Sequence, residues 1–250
     1  MKAVILAAGR GSRLGQLTYK KPKCMTEVDG ISLLDWQHSV LKSAGINDIY
    51  VVSGYLSNVI SKMDYQTLYN SDWNKSNMVM SIKIALDNIE PPFIISYSDI
   101  IYSRKIINDL IKSNSDISVA YDKNWLNLWE MRFKDPLVDA ESFILNSKSN
   151  IIEIGNKVKD VREIEGQFMG LLKINNNGKQ SINRIINKKK DNLFTFDTTK
   201  LLSGMIKKRI TIKAIPNYEG WCEIDSQKDL SIANNLVKNG IINKPQDFKI

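Results

Sequence analysis

Residues 2–15 read KAVILAAGRGSRLG, and this stretch decides the fold class. The run KAVILAA (2–8) is continuously apolar, as expected of a strand buried on both faces of a parallel sheet, and Gly9 ends it. The residues after it are built for an anion. Gly9 and Gly11 let the backbone approach a phosphate closely with successive N–H groups turned inward. Ser12 adds a hydroxyl, and Arg13 a planar, permanently charged fork. Lys23 stands ten residues beyond Arg13 in the tripeptide KPK (21–23). A dinucleotide-binding loop would need a third glycine where Leu14 stands, and a Walker A loop would need GK[ST]; neither is present. A plain turn would explain two glycines but not the flanking Arg10, Arg13, Lys21 and Lys23.

Outward from this loop the chain alternates. Ser32 is placed to cap a helix running to Ala44, with Leu33, Trp36, Val40 and Ala44 on one face and Gly45 at its end. A strand at 48–54, a helix near 57–63, a short strand at 68–69 and a helix over 77–87 come next. A strand at 93–99, a helix over 103–113 and a strand at 117–122 complete the first half. This order predicts an α/β fold with a mostly parallel sheet. In the second half, residues 151–155 and 166–174 read as strands and 178–190 and 198–208 as basic helices. Strands at 209–215 and 220–225 and a helix over 226–238 close the pattern.

At 250 residues, 43% hydrophobic and 25% charged, the composition is that of an ordinary globular protein and excludes disorder. No stretch approaches the ~20 apolar residues of a membrane span. Cys24 and Cys222 read as buried thiols, and with no secretory signal the expected setting is cytoplasmic. The net charge of +8 comes wholly from residues 179–213, where ten Lys/Arg face two acids. That segment reads as a solvated basic face; a nucleic-acid binder is the alternative, but an RNP-type aromatic pattern and zinc-finger spacing are both missing.

Asp99 and Asp225 each end a predicted strand, where a parallel sheet gathers its ligands. A pair of carboxylates there suits a magnesium ion, although Asp225 ahead of SQKDL equally suits a helix cap. Trp125 and Trp129, spaced i, i+4, share a helix face that reads equally as core. Arg132 has Asp135 and Asp139 within easy reach, and Glu165 and Gln167 alternate along one strand, facing one side.

The motif L-A-A-G-x-G-[ST]-R-L with a downstream Pro-Lys resembles the signature of nucleotidyltransferases that couple an NTP to a phosphorylated small molecule. The resemblance continues through VVSGYL (51–56), NM (77–78), SYSDI (96–100), WLNLWEMRFKDPLVDAE (125–141), EIEGQFMGLLKI (163–174) and WCEID (221–225). These later blocks are similar to phosphocholine and CTP:phosphoglutamine cytidylyltransferases. One departure is Gly15-Gln16, where many relatives carry a bulky residue and proline. The resemblance implies a Rossmann-like three-layer sandwich spanning 1–250, with a nucleotide half (1–122), an acceptor half (123–225) and a C-terminal helix and tail (226–250). It implies CTP and a phosphorylated acceptor as substrates, Mg²⁺ on Asp99 and Asp225, and Arg13 and Lys23 as the catalytic cations. Leu6, Ala8, Gly9, Gly11, Ser12, Gly54, Tyr55, Asn77 and Ser98 would surround the nucleotide, and Trp125, Trp129, Arg132, Glu165 and Gln167 the acceptor. Capsule or surface-polysaccharide modification is the implied setting, and a sugar-1-phosphate nucleotidyltransferase is the nearest alternative enzyme. Oligomeric state has no signature in the sequence, and a homodimer remains one open arrangement.

Overall fold

The computed structural model describes residues 1–188 and 190–245. Strands are β1 (Lys2–Ala7), β2 (Glu27–Val28), β3 (Ile31–Ser32), β4 (Asp48–Ser53), β5 (Gln66–Tyr69), β6 (Phe93–Tyr97) and β7 (Ile100–Ile101) in the first half. The second half adds β8 (Ile117–Asp122), β9 (Phe143–Leu145), β10 (Ile151–Ile154), β11 (Gln167–Ile174), β12 (Lys213–Asn217) and β13 (Cys222–Glu223). Helices are α1 (Leu33–Ser43), α2 (Ser57–Ile60), α3 (Met78–Asn88), α4 (Arg104–Lys112), α5 (Trp125–Arg132), α6 (Asn176–Asn187), α7 (Thr198–Lys207) and α8 (Gln227–Lys238).

Seven strands form one sheet in the order β12-β8-β11-β6-β1-β4-β5. All its pairings are parallel except those of β11, which runs against both β6 and β8. The sheet is therefore mixed and mostly parallel, and β11 and β12, from the second half of the chain, flank β8 from the first. The central strands are buried on both faces, as their apolar runs require: Ala3, Val4 and Ile5 are fully shielded, as are Phe93, Ile94 and Ile95. From β1 the chain moves to β4 and β5 on one side, then returns to β6 on the other. That reversal opens a crevice at the C-terminal ends of β1 and β6, the place where open α/β sheets bind ligands.

Local chemistry sets the helix starts. The Ser32 hydroxyl accepts the Asp35 N–H at 3.0 Å, and the Asn77 side-chain carbonyl accepts the Met78 N–H at 2.7 Å. Ser226 and Asp229 cap α8 reciprocally. Both cysteines are free and buried.

Several elements differ from the sequence expectation. The helix near 57–63 is a single turn, α2. The strand expected at 209–215 begins only at Lys213 and continues to Asn217. Arg209 takes a left-handed φ of 58° and its N–H closes the end of α7 on Ile206 O, so the chain is still leaving the helix there. Pro216 is tolerated because β12 lies at the sheet edge. The strand expected at 220–225 shrinks to β13 and stays out of the main sheet: it pairs antiparallel with β7, Glu223 opposite Ile100. Of the basic helix expected at 178–190, α6 covers Asn176–Asn187, and position 189 lies outside the described residues, as does the 246–250 end of the expected tail.

Candidate active site

The glycine-rich loop leaves β1 and turns through Gly11, at φ 69°, into the short 3-10 stretch Ser12–Thr18. Thr18 is fully buried, and its hydroxyl donates to Gly11 O and Gly15 O at 3.1 and 3.2 Å, fastening the loop from within. A Cβ on Gly11 would come within 2.8 Å of the Lys23 side chain, so the aliphatic stem of Lys23 runs directly beneath the loop. Only glycine combines that φ with that proximity.

Lys23 carries its ammonium to the acidic pair. Its Nζ donates to Asp99 Oδ2 at 2.7 Å and to Asp225 Oδ1 at 2.5 Å. Asp99 stands in the two-residue turn between β6 and β7, and the Ile224 N–H donates to Asp99 O at 2.8 Å, continuing the β7–β13 ladder. That antiparallel ladder, not a second strand of the parallel sheet, brings the two aspartates together. Ser226 does the capping of α8, which leaves the Asp225 carboxylate to face the crevice.

Of the four basic residues in and after the loop, two reach this point. The Arg13 side chain is 71% exposed, yet its Nη2 lies 2.9 Å from Asp225 Oδ1. Lys21 pairs instead with Glu27. Arg10 sits 5.6 Å from the ring centres of both Tyr19 and Tyr55, and Tyr55 packs on Trp73 at 5.2 Å. The Tyr55 hydroxyl donates to Tyr19 O at 3.1 Å and its N–H to Ala8 O at 3.0 Å, binding the 54–56 turn to the loop. Gly54 abuts Trp73 and Ala8 O. Leu6, Ala8 and Ser98 are buried around the crevice, Ser12 is exposed on the loop, and Asn77 caps α3 while its own N–H donates to Phe194 O at 2.8 Å.

Glu223 completes an acidic cluster. Ligand oxygens of Asp99, Glu223 and Asp225 lie within 4.8 Å of one another. Asp99 Oδ1 is buried with no hydrogen-bond partner. A hard divalent cation would satisfy that oxygen, and an all-carboxylate donor set suits magnesium-like ions. Burial draws the Lys23 pKa down, but the facing Asp99 and Asp225 outweigh it and the net direction is up. For Asp225 burial pushes upward, and Lys23, Arg13 and Arg132 reverse it, so this carboxyl titrates below its ordinary range. Glu223 is driven up to about 7, first by burial and then by the Asp225 charge. Its signal in the sequence is the spacing E-x-D, although only Glu223 lies in β13 and Asp225 follows its end.

The residues predicted to meet the acceptor are placed differently. Trp125 and Trp129 are each 4% exposed and pack against one another at 5.9 Å; their indole N–H groups donate to Ile164 O and Asp139 Oδ2. They are core, as aromatic pairs at i, i+4 commonly are. Arg132 bypasses Asp135 and Asp139. Its Nε donates to Asp229 at 3.0 Å and its Nη1 lies 2.8 Å from Glu223 Oε2, an ion pair without hydrogen-bond alignment. Its side chain is 1% exposed, so it backs the acidic cluster from inside. Gln167 is buried against the main chain of Glu141, whereas Glu165 precedes β11, is exposed, and accepts the Leu145 N–H. The two do not share a face, because β11 starts only at Gln167.

Beside Glu223 lies a cavity of about 140 Å³ lined by Tyr97, Phe168, Asp197, Thr198, Trp221 and Glu223 among others. Tyr97 and Phe168 meet edge to face at 5.7 Å, and the Trp221 N–H is held by buried Asp122 at 2.8 Å. Gly170, at φ 77°, lets β11 pass so close to Tyr97 that a Cβ there would meet its ring at 2.7 Å, at an irregularity in the pairing with β8. Asp197 caps α7; burial opposes its charge, but Lys200 and Thr199 hold its pKa below the usual value. Trp221 lies in a block visible in the sequence, but nothing local marks Tyr97, Phe168 or Asp197 as its neighbours. Two larger grooves, about 690 and 540 Å³, flank α1 and contain neither the loop nor the acidic pair. His38, the single histidine, faces the second of them.

Part of the basic segment is paired: Lys200 with Asp197 inside it and Lys179 with Glu90 outside it, while Lys213 donates to Lys148 O. Among the described residues no helix is long and apolar enough to cross a membrane.

Residues 3–138 match the MobA-like NTP transferase domain family. The chain is 37% identical to the CTP:phosphoglutamine cytidylyltransferase of Campylobacter jejuni, over 93% of this chain and 98% of that protein. It is 28% identical to a choline-phosphate cytidylyltransferase of Streptococcus pneumoniae, over 62% of this chain and 68% of the relative. The fold superimposes on an inositol-1-phosphate CTP transferase from T. maritima with a TM-score of 0.76 at 18% identity, covering 100% of this chain and 97% of that one.

Proposed function

The chain belongs to the MobA-like NTP transferase family, and from that premise we propose that it transfers CMP from CTP to a small phosphorylated acceptor bearing an amine, releasing pyrophosphate. One observation carries the reading: Lys23 and Arg13, delivered by a glycine-rich loop, converge on Asp99 and Asp225 beside an aromatic and acidic cavity. The named activities of the relatives point to the same chemistry.

A phosphate oxygen of the acceptor attacks the α-phosphorus of CTP. The new O–P bond forms as the bond from the α-phosphorus to the bridging oxygen breaks, and pyrophosphate leaves from the opposite side. A phosphate dianion needs no general base, in keeping with the placement of His38 in a different groove. The protein contributes position and charge: the loop N–H groups and Arg13 hold the triphosphate, and Lys23 spans the α-phosphate and the incoming oxygen. Asp99 and Asp225, with Glu223 beside them, would hold the magnesium ion, which neutralises triphosphate charge when bound.

The cavity suits a cationic head group. Tyr97, Phe168 and Trp221 offer ring faces, and Asp197 and Glu223 offer negative charge. Behind this wall Trp129 packs on Trp221 and Arg132 pairs with Glu223, with Trp125 against Trp129. A panel of CTP, UTP, dTTP and ATP against phosphoglutamine, phosphocholine, 2-aminoethylphosphonate and glucose 1-phosphate, read as pyrophosphate release, tests the reading. CTP with an amine-bearing acceptor is the expected productive pair. Strict turnover of UTP or dTTP with the sugar phosphate would replace it with an NDP-sugar enzyme, and capsule assembly as the setting would go with it.

A further inference from the structure

The carboxylates that would hold the metal are already occupied by the protein's own cations. Lys23 Nζ bridges Asp99 Oδ2 and Asp225 Oδ1, and Arg13 Nη2 lies on the same Asp225 oxygen at 2.9 Å. Asp225 Oδ2 faces Arg132 Nη2 at 3.8 Å. Asp99 Oδ1 is buried with no hydrogen-bond partner. The side chains of Lys23, Asp99 and Asp225 are about nine-tenths shielded, at 10%, 13% and 10% exposure, so the bridge is largely desolvated.

We infer that Lys23 and Arg13 are internal counter-ions that keep a divalent cation off Asp99 and Asp225 until a triphosphate draws them away, so that the site admits metal together with nucleotide and resists metal alone. The inference rests on the proposed nucleotidyl transfer. Its physical basis is that a buried charge is costly only when unpaired. A metal entering by itself would have to stand beside the Lys23 ammonium or expel it. Expulsion has no good destination, because the Lys23 stem is packed under Gly11 and the ammonium would be left without an anion. A triphosphate cradled by the same loop supplies that anion. Lys23 and Arg13 then exchange carboxylate partners for phosphate oxygens, the carboxylates exchange ammonium and guanidinium for the metal, and no buried charge is left unpaired. By linkage, whatever lowers the hold of these cations on the carboxylates raises the affinity for metal alone.

The test is Mn²⁺ binding to the whole protein without nucleotide, monitored by the paramagnetic signal of the free ion, for wild type, Lys23→Met, Lys23→Arg, Arg13→Ala and the double variant Lys23→Met/Asp225→Asn. Lys23→Met is expected to bind Mn²⁺ at least about tenfold more tightly than wild type, the scale on which one adjacent charge moves an equilibrium. Lys23→Arg should stay near wild type, Arg13→Ala should fall between, and the double variant should lose the gain. Equal affinity in wild type and Lys23→Met overturns the inference, and so does a gain that survives Asp225→Asn. Should Lys23→Met fail to fold, the exposed Arg13→Ala decides alone: no tightening there overturns it. The titration uses neither CTP nor acceptor, so tighter Mn²⁺ binding by Lys23→Met beside a wild type inactive across the whole substrate panel would discard the functional reading and leave only the exclusion of metal by Lys23.

Discussion

The loop from Gly9 to Lys23 and the block from Trp125 to Gln167 are equally conspicuous in the sequence, yet the structure treats them differently. In the first, the residues that stand out are the ones at the crevice: Gly11 lies over Lys23, and Lys23 and Arg13 reach Asp225. In the second they are packed away: Trp125 and Trp129 are core, Gln167 binds main chain, and Arg132 supports Glu223 from behind. A glycine-rich loop is shaped by backbone conformation, which glycine spacing writes directly into a short stretch. A side-chain cavity is assembled from elements far apart, here β6, β11, the start of α7 and β13.

Substitutions can sharpen or break this contrast. The largest effect is expected at the acidic pair: Asp225→Asn should lower pyrophosphate release by about 10²–10³-fold, the usual loss for removing one preorganised charged group, with the fold intact by circular dichroism. Retained turnover would detach the loop from its catalytic partner. Next come two glycines of one loop. Gly11→Ala meets both a left-handed φ and Lys23 at 2.8 Å, and about 1–2 kcal/mol of backbone strain plus the displacement of Lys23 should lower kcat/KM roughly tenfold or more. Gly9→Ala, with nothing within 4 Å of its Cβ and no positive φ, should change far less. Equal losses would mean that the loop does not act through its grip on Lys23.

On the acceptor side, Trp221→Ala should raise the acceptor KM about tenfold while leaving the CTP KM within about twofold, a loss of the 1–2 kcal/mol scale of a desolvated cation–π contact. Trp125→Ala, at a residue as buried as Trp221 but outside the cavity lining, should lower unfolding free energy by about 3–5 kcal/mol, read by chemical denaturation, without shifting the acceptor KM. If Trp125→Phe shifted acceptor KM as strongly as Trp221→Ala, the cavity would have been assigned to the wrong aromatic residues. The smallest effect belongs to Glu165→Ala, which removes one exposed hydrogen bond to the Leu145 N–H and should cost about 1 kcal/mol of stability or less with turnover unchanged.

Legibility in the sequence divides along the same line. The strands at 2–7, 48–53, 93–97 and 117–122 are readable because apolar runs between turn residues report burial locally. Ser32 and Asn77 announce their helices because a cap acts within one turn. The C-terminal strands are misplaced by a linear reading because a left-handed Arg209 and the pairing of β13 with β7 depend on partners far off in sequence. A linear reading puts Asp225 beside Asp99 along one edge of the parallel sheet; it reaches Asp99 instead through a two-stranded ribbon outside the main sheet.

By itself, the sequence determined an α/β chain opening on a buried strand and a glycine-rich loop, with its charge excess confined to one segment. Periodicity, glycine placement and capping are short-range effects, so a linear reading captures them. Only the tertiary structure decided that two of the four basic residues in and after the loop converge on Asp99 and Asp225, that Glu223 joins them, and that Tyr97, Phe168 and Trp221 line one cavity while Trp125 and Trp129 pack in the core. Those outcomes depend on strand order and on a register set across more than a hundred residues, with Glu223 opposite Ile100, which no local pattern encodes.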